Sequence, residues 1–110
     1  MSILQKMKYI KNTTITELKK DYSDRNGFVF KAAADCDTRN CERAAQGIKN
    51  QGYTEEMPEF IGEIDKRTFA FVYPEGVSFD TPSFLQLCQH YSFITKAFQV
   101  EPLCAWLKNQ

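Results

Sequence analysis

The run Phe28-Val29-Phe30 constrains the fold most, because large apolar side chains in consecutive extended positions project onto both faces of a sheet, and both faces must then be covered. A strand of this kind belongs near the sheet centre. It follows the turn-forming cluster Ser23-Asp24-Arg25-Asn26-Gly27 and is expected to run into Ala32 to Ala34. Covering it takes amphipathic helices, and the chain supplies several.

Asn12 to Asp24 reads as the first helix, with Thr14 as N-cap, Glu17 completing a capping box, and Ile15, Leu18 and Tyr22 on one face. Met7 to Lys11, just before it, fits a short strand or an earlier helical turn equally well, because Ile3, Met7 and Ile10 also keep helical spacing. In the second helix Cys41, Ala44, Ala45 and Ile48 hold the i, i+3, i+4, i+7 rhythm, and Gly52 is placed to end it. Small residues on that face predict close packing on the sheet.

Between Met57 and Tyr73 the pattern alternates, with Phe60 and Ile64 on one side and Phe69, Phe71 and Tyr73 following Asp65-Lys66-Arg67. This predicts a β-hairpin closed by Pro74-Glu75-Gly76. Thr81 as N-cap and Pro82 at the first helical position open a long helix expected to reach about Phe98. Glu101-Pro102 is expected to break it, and Leu103, Trp106 and Leu107 to continue as a short final helix. The predicted order is α-β-α-β-β-α-α: a single α+β domain over residues 1–110, its three- or four-stranded, mainly antiparallel sheet packed by amphipathic helices.

At 110 residues the chain can close one hydrophobic core, and an aromatic share of 14% leaves material for an aromatic surface as well. Acids and bases balance at fourteen each, which disfavours a dedicated nucleic-acid binder. Lys6, Lys8, Lys11, Lys19 and Lys20 outweigh Glu17 in the first twenty residues, an excess that reads as a solvated face. From Phe84 onward only Lys96, Glu101 and Lys108 are charged, yet Pro102 and the glutamines break the tail too often for a membrane span, so its destination is a core or a partner. Ser2-Ile3-Leu4-Gln5-Lys6 lacks the apolar run of a secretion signal. The expected location is therefore cytoplasmic, with Cys36, Cys41, Cys88 and Cys104 as thiols.

The densest polar cluster, Asp35-Cys36-Asp37-Thr38-Arg39-Asn40-Cys41, falls where a strand passes into a helix. A thiol at a helix N-terminus is drawn toward thiolate, which makes Cys36 the leading nucleophile candidate; Asp35 and Asp37 beside it act in the opposite sense. Two carboxylates are fewer than a divalent cation needs, and four residues between Cys36 and Cys41 do not match redox or zinc spacing. No cofactor or metal set is read from the sequence. The plain alternative is structural: Asp37 caps the helix, Asp35 ends the strand and Cys41 packs as a small apolar residue.

His90, the one histidine, falls at the edge of the polar side of the long helix, among glutamines. Phe84, Leu85, Leu87, Cys88, Tyr91, Ile94 and Phe98 make that helix's core face, which leaves Phe93 opposite, in a nearly uncharged strip with Gln86, Gln89, His90 and Ala97. Either the final helix with Trp106 covers Phe93, or another chain does. The expectation is a protein-interaction module of adaptor, inhibitor or immunity type, a homodimer by default, with Phe93 and Trp106 near the contact. Its rival is a small-molecule-binding protein or thiol-dependent enzyme built on Asp35, Cys36 and Asp37, with His90 brought near by folding.

Overall fold

A computed structural model of the protein describes residues 8–32, 34–52, 54–77 and 97–110. In chain order these form strand β1 (Lys8–Ile10), helix α1 (Ile15–Tyr22), strand β2 (Gly27–Ala32), helix α2 (Thr38–Asn50), strands β3 (Phe60–Asp65), β4 (Thr68–Val72) and β5 (Ala97–Pro102), and helix α3 (Leu103–Lys108). The strands make one sheet in the order β1-β3-β4-β2-β5. The β3–β4, β4–β2 and β2–β5 ladders are antiparallel and β1 joins β3 in parallel.

Among the described residues the sheet therefore has five strands where three or four were expected: β1, one of the two readings open for Met7 to Lys11, and β5, which was not expected, form its edges. The helix expected to reach about Phe98 is corrected at its end, because Ala97 and Phe98 already belong to β5, with Val100 opposite Phe30 and Pro102 opposite Phe28. Pro102 is tolerated here because β5 is an edge strand and the chain passes directly into α3. The start of that expected helix at Thr81-Pro82 and most of its length lie outside the described residues. Strand β2 stops at Ala32 instead of reaching Ala34.

Period-two alternation sorts the side chains of the central strands into two layers. Phe28 and Phe30 of β2, Ile61 of β3, Phe69 and Phe71 of β4 and the following Tyr73 face α2, which contributes Cys41, Ala44, Ala45 and Ile48. Val29, Phe60, Ala70 and Val72 face the other way, against Leu18 of α1 and Leu103, Trp106 and Leu107 of α3. Each large apolar side chain buried this way contributes about 1.5–3 kcal/mol. The rings of Phe30 and Phe71 stack at 4.3 Å, while Tyr22 meets Phe60 edge-on at 4.9 Å. Alanines 44 and 45 bring α2 close to the sheet, as their size predicts.

Local signals set the boundaries. Thr14 accepts a hydrogen bond from the Glu17 backbone N–H at 3.1 Å, and its hydroxyl donates to the Glu17 carboxylate at 2.9 Å. Gly52, at φ 82°, takes the left-handed position just past α2 that a side chain would disfavour. Gly27 has a different reason: a Cβ there would lie 2.0 Å from the Phe71 carbonyl oxygen. Among the described residues no helix is long and apolar enough to cross a membrane.

Candidate functional site

The passage from β2 to α2 is tied at both ends by backbone and side-chain bonds. The carbonyls of Arg67 and Lys66, at the tip of the β3–β4 hairpin, accept from the backbone N–H groups of Ala32 at 2.8 Å and Cys36 at 2.9 Å. The tip itself is held by Asp65, which accepts from the Arg67 N–H at 2.8 Å and from the Thr68 hydroxyl at 3.2 Å. Arg67 Nε also reaches Asp35 at 3.0 Å, an ion pair between exposed groups that adds little to stability.

Asp37 is the N-cap of α2. Its carboxylate accepts from the Asn40 N–H at 3.0 Å, and the Asn40 side-chain oxygen accepts from the Asp37 N–H at the same distance, a reciprocal box. Both carboxylates of the polar cluster thus have structural partners. Cys36, partly buried, packs against the α2-side core, and its thiol lies 3.5 Å from the Ala34 carbonyl oxygen. Cys41, one turn into the helix, is 4% exposed.

Around Cys41 the structure gathers groups that sequence reasoning did not single out. Tyr9 on β1 donates its hydroxyl to Glu63 Oε1 on β3 at 2.6 Å, and Glu63 is only 9% exposed. Tyr9 is partly buried and packs against the core cluster that contains Cys41. Burial first, then the neighbouring charge of Cys36, push the Cys41 thiol up to about 12; the Tyr9 hydroxyl opposes them, and Glu63 and Asp37 add smaller raising effects. Burial and the bond to Glu63 raise the Tyr9 phenol well above its usual range. Glu63 had a sequence signal: in the alternation that turns Ile61 toward α2, residue 63 falls on the same face, and an acid in a core register needs a partner. Tyr9 had none, because nothing in the sequence pairs residues 8–10 with 60–62.

Gln86, Gln89, His90 and Phe93, and with them Cys88, lie outside the described residues. Ala97 begins β5. Trp106, expected near a contact, is 6% exposed and sits in the layer shared with Leu18, Val29 and Leu103. Among the described residues no three His, Cys, Asp or Glu side chains are grouped to hold a metal ion. Comparison with protein-family models, curated proteins and solved structures finds no match to this chain.

Proposed function

We propose that the protein is an interaction module, working in the cytoplasm and binding a second copy of itself or another protein through the strip Gln86, Gln89, His90 and Phe93. One observation carries the preference over an enzyme: the strand-to-helix turn is occupied by its own capping. Asp37 is engaged by Asn40 and Asp35 by Arg67, so both carboxylates of the turn already have partners within the fold. Binding through a nearly uncharged strip centred on Phe93 asks nothing of these groups.

A thiol-dependent reading keeps one support, the partly exposed Cys36 at the end of the turn. Light scattering across a dilution series, on the natural chain and on Phe93→Asp, tests the interaction reading. The expected result is a dimer that the substitution converts to a folded monomer. A monomer in both cases, with Cys36 alkylating much faster than a small free thiol at neutral pH, would overturn the reading in favour of thiol chemistry.

A further inference from the structure

We propose that Cys36 and Cys41, although separated by four residues instead of the two of a dithiol redox motif, close into an intramolecular disulfide across the start of α2. With Asp37 as the N-cap, Cys36 is the residue just before the cap and Cys41 is the fourth helical residue. These are the two positions whose side chains meet in a hydrophobic staple, the contact that fixes the angle at which a chain enters a helix. Here both positions hold cysteine. Cys36 packs against the core cluster to which Cys41 belongs, and both residues are thiols. The reciprocal Asp37–Asn40 box and the bond from the Cys36 N–H to Lys66 hold the backbone on either side of the pair.

The two thiols are unequal in a way that suits sequential oxidation. Cys36 is partly exposed and meets a reagent first, whereas Cys41 is buried and is reached by solvent reagents far less readily. With a low-molecular-weight disulfide as oxidant, the Cys36 sulfur attacks one sulfur of that disulfide. A small thiolate departs and takes up the proton lost by Cys36. The Cys41 sulfur then attacks the Cys36 sulfur of the mixed disulfide and expels the second small thiolate, which takes the Cys41 proton. Two protein thiols are oxidised to one disulfide, and one small disulfide is reduced to two thiols. The raised Cys41 thiol makes the second step the slower one, so the mixed disulfide on Cys36 accumulates first.

The chain offers a direct readout, because Lys31, Arg39 and Arg43 divide the two cysteines between adjacent tryptic peptides, Ala32–Arg39 and Asn40–Arg43. The full-length protein is incubated with oxidised glutathione, alkylated, digested with trypsin and mapped by mass before and after reduction. The expected result is the two peptides joined, lighter than their sum by two hydrogens, and separating on reduction. In Cys41→Ser the product stops at glutathione on Cys36, and in Cys36→Ser residue 41 stays unmodified. The proposal is overturned if the natural chain stops at glutathionylated Cys36 with Cys41 still a thiol, or if Cys36 pairs with Cys88 or Cys104. The map of the natural chain decides even where a variant does not fold.

Discussion

Strand β1 contributes three residues to the sheet, and only one of its side chains reaches a buried polar partner: the Tyr9 hydroxyl, 2.6 Å from Glu63. Tyr9→Phe keeps the ring and deletes that donor, leaving a carboxylate that is 9% exposed without it. A hydrogen bond to a charged group contributes about 1.5–3 kcal/mol net, and the partial exposure of Tyr9 places the cost in the lower half, at about 2 kcal/mol. For a domain of this size that is a fall of about 1 M in the urea midpoint, or about 8 °C in Tm. Trp106, the one tryptophan and a buried one, reports the transition by fluorescence. Repeating the substitution in a Glu63→Gln background measures the coupling, expected at about 1 kcal/mol or more. A loss under about 0.5 kcal/mol with no coupling would refute the argument: water would then be replacing the hydroxyl, and β1 would be held by its backbone ladder alone.

Two further outcomes follow from geometry and titration. Gly27→Ala sets a Cβ 2.0 Å from the Phe71 carbonyl oxygen, which only a shift of β2 against β4 can relieve; a stability loss of about 3 kcal/mol or failure to fold is expected, and a urea midpoint within error of the natural chain would show that the strands can part there at no cost. Alkaline pH should weaken the fold through Cys41, which faces Tyr9 from β1, Glu63 from β3, and Cys36 and Asp37 ahead of its own helix. In the folded chain it keeps its proton until about 12, while the unfolded chain loses it near the usual 9, so the stabilisation is complete below that value and declines above it by about 1.4 kcal/mol per pH unit. Urea midpoints at about pH 8 and about pH 10 measure this, and Cys41→Ala should flatten the difference; an equal decline in that variant would assign the effect to other groups.

Elements whose signals are local were legible from the residues. Thr14, Asp37 and Gly52 mark helix ends through their own chemistry, and each sits where its chemistry places it. The alternation of Phe60 and Ile64 against Phe69, Phe71 and Tyr73 likewise assigns the hairpin's two faces correctly. What was not legible depends on distant partners. Residues 8–10 fit a strand and a helical turn equally well, and pairing with β3 decides for β1, in a parallel sense that no turn dictates. Residues 97–102 continue a helical apolar rhythm through Phe98, yet pairing with β2 makes them extended. At the site, the capping role of Asp37 could be anticipated from its place before a helix, whereas the pairing of Asp35 with Arg67 depends on the hairpin tip. The Tyr9–Glu63–Cys41 grouping could not, since it joins three elements through the sheet order.

The order β1-β3-β4-β2-β5 also governs how the sheet can assemble. Ile61 and Phe71 pair across a short hairpin, whereas Tyr9 reaches Ile61 over 61 − 9 = 52 positions and Val29 reaches Glu101 over 101 − 29 = 72. The closest contacts in sequence lie in the middle of the sheet and the most distant at its two margins. Loop-closure entropy therefore favours the central hairpin as the early structure, with both margins docking late. On a growing chain β2 has one flank open until residues 97–102 arrive, and Phe28-Val29-Phe30 is the segment a chaperone or a neighbouring nascent chain would meet in the interval.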